Sequence, residues 1–184
     1  MSTKFWRSEL LAPNSREAYA IHEASHAVMA VTQGCDTYAH LFDTPLKDGT
    51  NGVCHIYGVV DYEGDLQISL AGPEGEYMVT GGRSGAYGDN QIVHQMTTER
   101  YARITRRGKK RLKAHGFHGV RHMADRDYDR AYDKIDVMLE KYREAIEEIA
   151  YRMYYVGWVA NDDVLIAMGC PVVYPDVPSQ WEFE

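Results

Sequence analysis

The sequence predicts a mainly α domain with a small β-hairpin or sheet element. Two features carry that reading. Long stretches of helical pattern close on glycines at 34, 81–82 and 157. Between the first two stretches lie "TYAHLF" and "GVCHIYGVV", rich in β-branched and aromatic residues and separated by the turn-forming "DTPLKDGTN". A length of 184 residues suits one domain with a real core. That domain is expected to span 14–169, between a leader at 1–13 and an extended tail at 170–184.

The first helix is expected to start at Asn14, whose side chain caps it while Glu17 reaches back, and to end near Gln33 before Gly34. The hairpin follows. "GDLQISLAGPEGEYMVT", from Gly64 to Thr80, is the second helix; Pro73 inside it costs a backbone hydrogen bond and is expected to kink it. "SGAYGDNQIVHQMTTERYARITRR" is the third, with a glycine-rich lead-in. After a basic run and a glycine- and histidine-bearing loop, "ADRDYDRAYDKIDVMLEKYREAIEEIAYRMYYV" reads as one long amphipathic helix. Ile135, Met138, Leu139, Tyr142, Ile146 and Ile149 line one side of it. "NDDVLIAM" has a cap and two acids in its first turn, which makes a short last helix. The tail "CPVVYPDVPSQWEFE" carries proline at 171, 175 and 178 and is expected to be extended.

Composition narrows the function. A net charge of -7 disfavours nucleic-acid binding, and the run "RITRRGKKRLK" reads as a solvated helix end. No apolar run of about 18 residues occurs, so no membrane span is expected, and the first residues lack a signal peptide's apolar segment. Cys35, Cys54 and Cys170 are odd in number and widely spaced. They point to a reducing cytoplasm, with the thiols serving as small core residues.

The chemistry concentrates in "YAIHEASHAVMAV". On a helix His22 and His26, at i and i+4, aim both imidazoles at one point, a geometry zinc accepts. Glu23 is rotated aside, where it can reach an attacking water: two ligands and a general base, the H-E-x-x-H pattern. Two histidines at this spacing also suit a plain core helix. The small residues Ala24, Ser25 and Ala27 favour a cation by leaving room around it. A catalytic zinc needs a third protein ligand. Spacing alone leaves that ligand open between Asp89, at a helix start, and Glu74 or Glu76 on the second helix. His115, His118 and His122 also have metal-like spacing, but beside a basic run they read as a loop.

"IHEASHAVMA", "LAGPEGEYMVTGG" and "SGAYGDNQIVHQMTTERYA" resemble, in order, three blocks of the zinc peptidase domain of the FtsH family. There the helix reads H-E-A-G-H-A, the next block approximately L-A-G-R-x-A-E-E, and the third G-A-x-x-D before a helix. The likeness spans about Ser15 to Gly169. It implies that His22, His26 and Asp89 bind Zn2+ and that Glu23 is the base. Ser25 stands where the family has glycine, and Pro73 and Tyr77 where it has arginine and glutamate. Glu76 keeps the first glutamate of its block and would orient an imidazole. The family joins this domain to membrane segments and an ATPase. No G-x-x-x-x-G-K-[ST] loop occurs here, so a stand-alone peptidase is expected, as a homo-oligomer or with a separate ATPase partner.

The resulting expectation is a cytoplasmic zinc endopeptidase acting on unfolded or flexible polypeptides without ATP. An extended substrate would add to the hairpin edge; His55 on that edge is within reach of a developing oxyanion, but it reads more readily as a plain strand histidine. The rival is a peptidase-like module that keeps zinc, binds peptides or a partner, and cleaves little.

Overall fold

The computed structural model describes residues 10–47, 49–83, 85–104, 110, 113 and 118–172; the side chains of 102–104 and 118–124 are not among the described ones. The elements are α1 (Arg16–Thr32), β1 (Asp36–Leu41), β2 (Gly52–Tyr57), α2 (Tyr62–Thr80), α3 (Tyr87–Ile104), α4 (His118–Lys141), α5 (Arg143–Val156), β3 (Trp158–Ala160) and α6 (Asn161–Ala167). The protein is therefore mainly helical with a small antiparallel sheet, as expected.

α1 runs through the middle, buried without interruption from Ala20 to Ala30. It is capped by Ser15, not Asn14. Ser15 is extended (φ -76°, ψ 156°) and its side chain accepts from the Ala18 N–H at 3.1 Å. Asn14 instead takes the left-handed region (φ 62°), and its Oδ1 accepts the Tyr19 hydroxyl at 3.0 Å. A capping residue needs extended backbone, so Asn14 cannot serve. The expected leader is already engaged at Leu11, whose N–H donates to the Val79 carbonyl at 2.7 Å.

α2 is capped by Asp61, which accepts from the Gly64 N–H at 2.8 Å, and it closes on Gly81 in the left-handed region (φ 71°). The helix continues through Pro73. The expected long helix is two. Tyr142 (φ -107°, ψ 20°) departs from helical geometry, so α4 packs chiefly against α2 while α5 packs against α1. Ile135, Leu139, Ile146, Ile149 and Met153 are fully buried on the two helices, so the division lets both apolar stripes reach the core.

The sheet order is β2-β1-β3, both pairings antiparallel, with Tyr38 opposite His55 and Ala39 opposite Val159. β3 is an addition to the expected hairpin. Gly157 (φ 90°) turns the chain out of α5 straight into it. Asn161 is the first residue of α6 and not its cap. Its amide links to β1, accepting from the Thr37 N–H and donating to Asp36. Asp163 reaches back to the Ala160 N–H at 2.9 Å. Among the described residues no helix is long and apolar enough to cross a membrane.

Candidate metal centre

The central position of α1 carries its chemistry inside: His22, Glu23 and His26 are all buried. The two Nε2 atoms lie 3.1 Å apart. α3 brings Asp89 from its first turn, with Oδ2 3.1 Å from His22 Nε2 and Oδ1 3.3 Å from His26 Nε2. One ligand atom from each of the three residues lies within 4.8 Å of the others. A tetrahedral ion with bonds of about 2.1 Å has ligand-to-ligand edges of about 3.4 Å, so the donor set, at 3.1–3.3 Å, comes close to what a zinc-sized cation needs. These residues could hold a metal ion.

The remote ring nitrogens are fixed from behind. His22 Nδ1 lies 3.2 Å from Glu76 Oε2, and His26 Nδ1 lies 2.7 Å from the Ile68 carbonyl. With Nδ1 engaged in this way, loss of the Nε2 proton would leave a lone pair facing the ligand group, so both imidazoles are oriented as ligands. Glu76 is completely buried and also accepts from the Gly85 N–H at 3.0 Å.

The electrostatics favour positive charge at this point. Burial alone would lower the pKa of His22, but its hydrogen bonds with Asp89 and Glu76 and the charges of Glu23 and Asp89 outweigh it and hold the imidazole at about 10. Burial likewise opposes ionisation of Asp89. The charge of His26 and hydrogen bonds from both histidines overcome it, keeping the carboxyl well below the usual range. For Glu23 burial wins over the two histidines and raises the pKa.

Access comes from a groove of about 710 Å³ whose walls include Tyr19, Glu23, Asp89, Cys54 and Ile92. β2, an edge strand, forms one side of it. Glycine makes the approach possible. A Cβ at Gly52 would lie 2.9 Å from Glu23 Cγ, and one at Gly72 would lie 2.2 Å from His26 Nε2. A Cβ at Gly75 would lie 2.0 Å from Ser25 Oγ. The space beside Ser25 is therefore used for close helix packing, not for room around a cation.

The structure distributes the sequence candidates unevenly. It brings together His22, His26 and Asp89, with Glu23 on the same groove and Glu76 behind His22. Glu74 points elsewhere and pairs with Arg83. His55 does not join the group. It lies opposite Tyr38 on the outer face of the sheet, ring centroids 6.3 Å apart and near-parallel, while Cys54 turns inward. Strand alternation puts it there, which agrees with the reading of His55 as a plain strand histidine. His115 and the side chains of His118 and His122 lie outside the described residues. The Ile68 carbonyl was missed because a backbone acceptor leaves no mark in sequence. Gly72 and Gly75, three apart on one helix, carried a signal of close packing.

No protein-family model matches the chain, and no curated protein matches it.

Proposed function

We propose that the protein is a zinc-dependent endopeptidase of FtsH type, hydrolysing unfolded or flexible polypeptides without ATP. One observation carries the reading: two histidines oriented through Nδ1 and an aspartate converge beside a buried glutamate, in a groove bordered by an edge strand. His22, His26 and Asp89 would hold the zinc. Bound there, zinc would supply Lewis acidity, polarising the scissile carbonyl and acidifying water.

The chain's own groups do the rest. Glu23 accepts the proton of the attacking water and delivers it to the leaving amine. Burial raises its pKa, which makes it a stronger base than an exposed glutamate. Glu76 and the Ile68 carbonyl keep the imidazoles from turning. The outer edge of β2 offers backbone groups to an extended substrate, which favours breadth over sequence selectivity.

The test is cleavage of unfolded casein by the purified protein. Cleavage should stop with a chelator and return with zinc. Glu23→Gln should bind about one zinc per chain yet lose at least roughly 10²-fold in rate, the low end for a lost general base. Equal rates in wild type and Glu23→Gln would leave the rival, a zinc-holding module that binds peptides and cleaves little.

A further inference from the structure

The third ligand stands on the least enclosed of the three helices that meet at the site. Along α3, from Tyr87 to Tyr101, only Val93 and Thr97 are buried. Such a helix needs another restraint to hold its first turn against two buried imidazoles, and the connection from α2 supplies it. The Arg83 guanidinium pairs with Glu74 and lies over the Tyr77 ring, 4.4 Å from its centroid, with Tyr132 of α4 at 5.8 Å. Glu74 is buried, so its carboxylate requires this partner. The restraint continues along the backbone. The Arg83 carbonyl accepts from the Ala86 N–H at 3.4 Å, and the Ala86 carbonyl accepts from the Asn90 N–H at 2.9 Å. Gly85 N–H, two residues past Arg83, donates to Glu76, which also bonds His22.

We propose that Arg83 is a positioning residue for the third ligand: by clasping Glu74 and the Tyr77 ring it fastens the start of α3 to α2 and so sets Asp89 opposite His22 and His26. The inference rests on the reading of these three residues as a metal site. Arg83 touches no ligand; it acts through the connection. A planar guanidinium stacks its face on a ring while its edge pairs with a carboxylate, a fit that an ammonium makes less well.

The experiment titrates cobalt(II) into the chelator-treated full-length protein, reading affinity by competition and coordination by visible absorption. The variants are Asp89→Ala, Arg83→Lys, and the pair Arg83→Met with Glu74→Gln, which leaves no buried carboxylate unpaired. The paired variant should bind cobalt about tenfold more weakly, the lower end for loss of an outer partner. Its absorption should shift toward that of Asp89→Ala, and amide exchange at 85–92 should quicken while exchange in α1 stays unchanged. Arg83→Lys should fall between it and wild type. Tyr77→Leu, which keeps the ion pair, should weaken binding in the same direction. Cobalt affinity and spectrum unchanged in the paired variant, alongside a large loss in Asp89→Ala, would overturn the clasp and leave the metal site standing. Unchanged binding in Asp89→Ala would overturn both.

Discussion

His22 is the residue on which the site's charge balance turns. Its Nδ1 faces Glu76 and its Nε2 faces Asp89, so two carboxylates hold a proton on the ring against the cost of burial. That proton must leave before Nε2 can donate to a metal. The sign follows directly. With the pKa held at about 10, the ring of the metal-free protein is charged throughout the neutral range, and zinc competes with the proton at every pH below it. Zinc affinity should therefore rise with pH, by about tenfold per unit from His22 alone between roughly pH 6 and 8. Competition titrations at several pH values measure the slope. A flat profile would mean that the ring is neutral before zinc arrives. Replacing Glu76 with glutamine removes one of the two charges and should lower the pH at which the slope begins to level off.

At the scale of elements, the site depends on how closely α2 can lie on α1. Gly75 faces Ser25 so tightly that a methyl group there would sit 2.0 Å from the hydroxyl oxygen, which is itself bonded to the Ile21 carbonyl at 2.7 Å. Gly75→Ala should cost about 1–3 kcal/mol by overpacking. Ser25→Gly should cost about 1 kcal/mol as a glycine within a helix. The double variant should be more stable than the sum of the two by about 1–2 kcal/mol, because the second change removes the obstacle to the first. Denaturant unfolding of all four proteins gives the coupling, and strict additivity would show that the two positions do not meet. The same scale explains what could be read beforehand. α1, the hairpin, α2 and α3 were legible because glycine stops, turn residues and apolar spacing act locally. The division at Tyr142 was not, since apolar residues continue at helical spacing through it and only packing against two different helices calls for a bend. β3 has three residues, too few for a pattern, and exists because β1 offers it an edge. At the site, His22, Glu23 and His26 were legible from spacing on one helix. On spacing alone Asp89 was one of several acids; the resemblance singled it out, and α3 brings it beside both histidines. The side of the sheet that His55 faces depends on alternation along β2, a register that sequence does not state.

Across the whole molecule, the ligand group lies deep in the domain, at the base of a groove whose one strand edge belongs to β2. On the proposed function, a substrate would pair with that edge as a single extended segment. The substrate's own unfolding must then deliver that segment. For a domain stable by about 5–15 kcal/mol the globally unfolded fraction is very small, so short peptides and flexible tails should be cut readily and tightly folded domains hardly at all. Rates on one folded target should follow its stability. Destabilising it by about 2.8 kcal/mol should raise cleavage about a hundredfold where global unfolding precedes the cut. The measurement is a cleavage series on one small domain and its graded destabilised variants, at fixed zinc and temperature. Rates that stay constant across the series would mean that the groove admits folded structure or that local fraying supplies the segment. An unfolded control peptide from the same domain separates those outcomes from a change in the catalytic step, because its rate should be the same whichever variant it was drawn from.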